Sequence, residues 1–242
     1  MIVVERSAAE LDGAITCFPE AGAVVVRAMF DASRARSLAS AVEAARARWT
    51  ADFGGEQFAL GRAFYTHFET GRSREYFAEA SRSDAVVEST LPGFQREMRE
   101  LLARLLSGRV TPRRGWCGAG VHVFPAGEKV ARAGGVVHFD VEGLTREHLR
   151  AGRRAVSLIL MLQAPTEGGG LFVHAARYAG REHANDDERA SAREELVYRD
   201  GDAVLLDSYR LHQIRPFGGE RARISATLHA AETSAGVWEC WF

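Results

Sequence analysis

Lysine is nearly absent from this 242-residue chain: Lys129 is the only one, although lysine and arginine together number 31. Arginine therefore carries almost all the positive charge, which we read as coding bias. An isolated arginine is thus weak evidence of a site unless other residues constrain its position. A net charge of −1 gives no field of one sign, and so no case for nucleic acid or an anionic membrane as partner. No apolar run nears the roughly 20 residues that cross a bilayer. The opening MIVVERSAAELDG lacks the apolar centre of a secretion signal. Cysteine is scarce as well. Cys17, Cys117 and Cys240 are far apart, odd in number and without a CxxC pair. They read as free thiols of a reducing compartment, which implies a cytoplasmic protein.

What remains is an ordinary globular composition, with no linker, internal repeat or low-complexity tract to divide it. We therefore expect one domain over 1–242, a supporting half of helices and strands to about 112 and a strand-rich half from about 113. Residues 14–30 look like strand, turn and strand. Residues 32–49 have the pattern of an amphipathic helix with Asp31 as N-cap. A strand is expected near 56–66. A helical zone follows from 74 to 107, interrupted by Pro92 and Gly93; Phe94, Met98, Leu101, Leu102 and Leu105 form the apolar stripe of its last helix. After Gly108, strand-like runs are expected at 116–124, 128–141, 154–163, 170–174, 196–199, 202–207, 211–215, 221–231 and 236–242. PAGE, TEGGG, RDGD and PFGGE mark turns between them. Helices followed by many short strands predict an α+β fold: a β-sandwich or jelly roll backed by helices. The charged stretch 181–195 reads as a solvated loop, or alternatively as a lid over a pocket.

Two stretches carry chemistry. In GGVVHFDVEG, residues 134–143, strand alternation puts His138 and Asp140 on one face and Val137, Phe139 and Val141 on the other. In residues 201–230, His212 follows an apolar strand, and a PFGG turn leads into a long alternating run. Along that run Ala222, Ile224, Ala226, Leu228 and Ala230 face one way. Arg221, Arg223, Ser225, Thr227 and His229 face the other, toward water or toward a polar cavity. Two histidines and a carboxylate are the facial triad of non-haem Fe(II) oxygenases, with three open metal positions opposite. Zinc would accept the same set.

Taken together, HFD at 138–140, His212, and Arg223-Ile224-Ser225 with ten residues between His212 and Arg223 resemble the HxD…H…RxS signature of Fe(II)/2-oxoglutarate-dependent oxygenases. LILMLQAPTEGGGLFVH (158–174) is similar to that family's strand, Gly-rich turn and strand. The resemblance spans about residues 116–232. It implies a double-stranded β-helix of the cupin-like kind packed against N-terminal helices. It further implies Fe(II) held by His138, Asp140 and His212, with 2-oxoglutarate and dioxygen as co-substrates. Arg223 would grip the distal carboxylate of 2-oxoglutarate, helped by Ser225, since a guanidinium fork matches a carboxylate. His122, on the strand before the HxD segment, is a further co-substrate candidate, although the family more often has Tyr there. Thr227 and His229 are substrate-contact candidates, or hydrogen-bonded residues at a sheet end. Because Asp140 is present, the resemblance favours hydroxylation over halogenation. The substrate class it implies is a small molecule, an amino acid or a natural-product intermediate. Trp238 and Trp241 read as packing residues, and Arg72 and Arg74 as possible ligands of an acidic group. Two rivals stay open: a cupin-type metalloenzyme that does not use 2-oxoglutarate, and a non-catalytic metal-binding sensor.

Overall fold

A computed structural model describes all residues except 1, 19, 20 and 182. The strands, in chain order, are β1 Val3–Ser7, β2 Ala23–Arg27, β3 Thr50–Asp52, β4 Gln57–Leu60, β5 Arg109–Pro112, β6 Gly120–Phe124, β7 Ala155–Gln163, β8 Glu167–Gly168, β9 Leu171–Arg177, β10 Arg193–Leu196, β11 Ala203–Asp207, β12 Arg210–Ile214, β13 Phe217–Gly218, β14 Arg223–Ser234 and β15 Val237–Trp241. The helices are α1 Ala32–Ala44, α2 Phe64–Glu69, α3 Ser73–Thr90, α4 Phe94–Leu106 and the short α5 Lys129–Ala133, α6 Arg146–Arg150 and α7 Asp186–Arg189. Among the described residues, no helix is long and apolar enough to cross a membrane.

The large, mostly antiparallel sheet runs β1-β2-β11-β7-β14-β6-β4-β3, with β15 and β5 continuing from β14. A smaller sheet, β10-β9-β12, lies against it. Side-chain alternation explains the layering. On β14, Ile224, Ala226, Leu228 and Ala230 join Leu158, Leu160 and Leu205 of neighbouring strands and pack on Ala39 and Val42 of α1 and Phe94, Met98, Leu102 and Leu105 of α4. From the opposite face, Val25, Ile159, Met161 and Val204 meet Leu171, Val173 and Leu196 of the smaller sheet. The Asp31 side chain accepts from Arg34 N–H, the expected cap of α1.

Several expected elements differ; the strand expected at 196–199 lies instead at Arg193–Leu196. Residues 14–17 form a short 3-10 turn rather than a strand. The strand expected at 56–66 ends at Leu60, and α2 begins at Phe64. The largest difference is at 128–141, where α5 occupies Lys129–Ala133 and no continuous strand follows. Gly134 ends α5 at φ +81°, and a Cβ there would meet Ile214 O at 2.7 Å. Beyond it, His138 alone makes a bridge, to His212; the Asp140 N–H goes to Ser208 O instead. The alternation of faces survives without the ladder. Phe139 is buried with Leu211, and Val137 and Val141 pack on that cluster.

The charged 181–195 stretch is neither a plain loop nor a cover. It contains α7 and most of β10, and none of its described residues lines the main cavity; residue 182 lies outside the described residues. Trp238 is fully buried in the main core. Trp241 is buried too, packed against Trp116, and it also forms part of the cavity wall. Arg72 does reach an acidic group, an internal one: Asp52 lies at 3.7 Å. Arg74 is exposed.

Candidate metal centre and active-site cavity

Between the two sheets lies a cavity of about 480 Å3, within the usual range for small-molecule sites. His138, Asp140 and His212 stand on its wall, with one donor atom from each within 4.8 Å of the others. The main chain fixes this arrangement. His138 N–H donates to His212 O and His212 N–H to His138 O, both at 3.0 Å, so the two imidazoles sit side by side. Asp140 Oδ1 lies 3.3 Å from His138 Nε2, and Oδ2 lies 3.6 Å from His212 Nε2. Metal bonds of about 2.1 Å at right angles would separate neighbouring donors by about 3 Å. The tripod therefore needs little adjustment.

Proton placement also suits a cation. His138 Nδ1 is 2.8 Å from Val136 O, and His212 Nδ1 is 2.9 Å from Arg210 O. A carbonyl only accepts, so each Nδ1 carries a hydrogen, and Nε2 is the atom that each ring would offer to a cation once that nitrogen is deprotonated. Burial pushes His212 down to about 4. For His138, burial also opposes the charge, but the hydrogen bond and charge of Asp140 outweigh it and raise it to about 9. Burial works against ionised Asp140 too, yet His212 and His138 hold it well below the usual carboxylate range.

Arg223 also lines the cavity and is 2% exposed. Its Nε donates to Gly169 O and an Nη to Ser225 Oγ, both at 2.9 Å. Gly169 belongs to the Gly-rich turn and has φ +72°; a Cβ there would strike Pro165. Phe124 and Tyr198 each lie 5.5 Å from the guanidinium. Burial pushes Arg223 down, and the Tyr198 hydroxyl pulls it back up. No carboxylate lies within salt-bridge reach of it among the described residues. A buried guanidinium without an anion fits an incoming carboxylate. Its competitors are engaged at the surface: Arg221 pairs with Asp200 and Arg215 with Glu195.

The other candidates converge as well. Ser225, Thr227 and His229 line the cavity, as does His122, which stands opposite Ser225 in register. Burial pushes His122 down to about 3, and its Nδ1 has no protein partner. The polar face of β14 thus looks into the cavity from Arg223 to His229, and only Arg221 falls outside it.

No known family pattern and no curated protein matches this chain by sequence. Solved structures do match by shape. SnoK, a non-heme alpha-ketoglutarate-dependent carbocyclase from nogalamycin biosynthesis, superposes with TM-score 0.62 at 15% identity, covering 94% of this chain and 87% of that one. An N-substituted L-amino acid dioxygenase from Burkholderia ambifaria AMMD, in complex with alpha-ketoglutarate, gives 0.58 at 17% identity over 97% and 91%. HygX from Streptomyces hygroscopicus, with nickel and 2-oxoglutarate bound, gives 0.56 at 17% identity over 90% and 86%. The fold is that of the 2-oxoglutarate–Fe(II) oxygenases.

On this oxygenase fold, several groups in or directly behind the cavity wall escaped sequence reasoning. Ser157 Oγ is 2.5 Å from Asp140 Oδ2, 2.9 Å from His229 Nδ1 and 3.2 Å from Ser208 Oγ. The one available signal was a lone hydroxyl within the apolar strand AVSLILML. Tyr65, bonded to Gln57 at 2.5 Å, and Glu142 also line the wall. Burial and the Asp140 charge push Glu142 up to about 7. Nothing local in the sequence marks either residue.

Proposed function

We propose that this chain is an Fe(II)/2-oxoglutarate-dependent oxygenase that hydroxylates a C–H bond of a small molecule, an amino acid or a natural-product intermediate. One observation carries the reading. A two-histidine, one-carboxylate tripod with both Nε2 atoms turned inward shares a cavity with a buried arginine that has no anion within salt-bridge reach among the described residues. The two facing sheets are read as a double-stranded β-helix. Residues 1–242 are read as one domain, because β1–β4 extend the same large sheet that holds the site. The same reading makes this a cytoplasmic enzyme.

In this reading His138, Asp140 and His212 hold Fe(II), and Arg223 with Ser225 receives the distal carboxylate of 2-oxoglutarate. Bound iron, with 2-oxoglutarate and dioxygen, supplies an oxidant able to break a C–H bond, releasing succinate and carbon dioxide. The chain supplies the rest. Ser157 donates to Asp140 Oδ2 and orients the carboxylate. The backbone carbonyls of Val136 and Arg210 fix both imidazole tautomers. Phe124, Ile159 and Leu171 form apolar wall that limits water. His122 is assigned to the co-substrate end, and Thr227 and His229 to the substrate. Asp140 fills the metal position that a halide would need, which favours hydroxylation.

The test is anaerobic addition of Fe(II) and 2-oxoglutarate to the purified protein. A weak visible charge-transfer band is expected, lost in His138→Ala and in His212→Ala. Succinate should then form on admission of oxygen. Metal binding with neither band nor succinate would refute the proposal and favour a metalloprotein that does not use 2-oxoglutarate.

A further inference from the structure

Beyond the tripod and Arg223, the cavity wall carries histidine acceptors and a carboxylate, alongside the donors Tyr65 O–H and Trp241 Nε1–H. Ser157 Oγ has one proton, and the 2.5 Å contact gives it to Asp140 Oδ2. His229 Nδ1, 2.9 Å from the same oxygen, must then be the donor there. The other ring nitrogen, Nε2, is left as an unprotonated acceptor on a cavity-lining side chain. His122 lines the same cavity at 6% exposure, with an Nδ1 that no protein group satisfies.

Charge follows the same direction. Glu142 is on the wall and in no salt bridge among the described residues. The single lysine also reaches the cavity, but Glu56 holds it at 3.0 Å. At the loaded centre of the oxygenase reading, a divalent iron and Arg223 balance Asp140 and dianionic 2-oxoglutarate. Glu142 is then a wall carboxylate without an ion-pair partner among the described residues, and Glu69 adds a second carboxylate to the same wall. Phe64, Tyr65 and Trp241 add aromatic rings to the wall, and such rings attract cations.

We infer that the cavity selects a substrate carrying an ammonium group. Glu142 is its specificity-determining residue, and His229 Nε2 accepts a hydrogen bond from a substrate O–H or N–H. The inference rests on the oxygenase reading for which end of the cavity meets the substrate. A carboxylate-bearing substrate would bring like charge against Glu142, and a neutral one would leave it unpaired.

Three probes of similar shape test this: 2-phenylethylamine, 2-phenylethanol and 3-phenylpropionate. Each is titrated by ligand-observed NMR into protein loaded with Ni(II) and 2-oxoglutarate, where no turnover occurs, and into metal-free protein. The amine is expected to bind about tenfold tighter than the alcohol, as one partly desolvated charge pair gives, with the propionate weakest. In Glu142→Gln the amine and alcohol should converge to within about twofold, and Glu142→Asp should restore part of the gap. Equal binding of amine and alcohol by the unmodified protein overturns the inference without recourse to any variant, as does an unchanged ratio in folded Glu142→Gln. Binding of 2-oxoglutarate is titrated in the same samples. Its failure counts against the oxygenase reading; intact 2-oxoglutarate binding with no preference for the amine sinks the substrate inference alone.

Discussion

Replacing Arg223 by methionine should separate stability from ligand affinity. The guanidinium is 2% exposed, and burying an unpaired ion costs several kcal/mol, roughly. Its bonds to Gly169 O and Ser225 Oγ return about 1.5–3 kcal/mol each, being charge-assisted. The flanking Phe124 and Tyr198 rings add up to about 2 kcal/mol. These effects nearly cancel, so Arg223→Met should change the unfolding free energy of the ligand-free protein by less than about 2 kcal/mol. For a chain of this length that is within about 8 °C in Tm. Binding of 2-oxoglutarate is different. Its distal carboxylate would enter a buried site with no counter-charge, at a cost of about 3–5 kcal/mol, or more than a hundredfold in affinity. Thermal melts of metal-free protein give the first number, and calorimetric titration of 2-oxoglutarate into Ni(II)-loaded protein gives the second. At a hundred times the wild-type Kd, 2-oxoglutarate should stabilise the unmodified protein by about 2.7 kcal/mol and the variant hardly at all. If the variant keeps its affinity within threefold, or loses more than about 4 kcal/mol without ligand, Arg223 is a structural residue and the assignment is wrong.

Three more perturbations probe other parts of the argument. Ser157→Ala removes the donor to Asp140 Oδ2 and should weaken metal affinity about 10–100-fold, measured by chelator competition; unchanged affinity would show that Asp140 needs no orienting partner. Asp52 is fully buried with both oxygens lacking a hydrogen-bond partner, and burial pushes it up to about 6 from 3.8. A raised carboxylate contributes most in its protonated form, below the unfolded pKa, and that contribution is lost as pH climbs through about 6. Asp52→Asn should therefore be more stable than the parent at pH 8 by about 3 kcal/mol, with the gain vanishing near pH 4; a pH-independent difference in denaturant melts would refute this. Trp238→Ala empties a fully buried core position and should cost about 3–5 kcal/mol, seen as a fall in the denaturation midpoint. A loss under 1 kcal/mol would show that the core refills the space.

The tripod was legible because each of its parts rests on a short-range rule. His138 and Asp140 share a face through period-two alternation, which persists even where the ladder is lost. His212 and Arg223 flank a turn that brings them to one cavity. The polar face of β14 was visible in the same way, but whether it met water or a cavity depended on the smaller sheet lying over it. Ser157 could not be found by such rules. It meets His229 and Leu206 only once β7 pairs with β14 and β11. Tyr65 and Glu142 come from a helix and a loop whose approach to the cavity is set by long-range packing. The misread 128–141 stretch shows the complementary weakness. Its apolar alternation resembles a strand, while Gly134 and a short helix decide the actual path of the backbone.

The order of strands in the large sheet also bears on how the protein can be dissected. Beyond β11 the sheet is completed by β2 and β1, and beyond β6 by β4 and β3. A polypeptide started at residue 113 would keep every proposed ligand yet expose raw amide and carbonyl rims on both flanks of the large sheet, and a third on β15 where β5 had been. Unsealed rims of this kind recruit other chains. The first hundred residues thus serve as selvedges for the fabric that carries the proposed metal site, and trimming them invites fibrous self-association instead of a minimal active fragment.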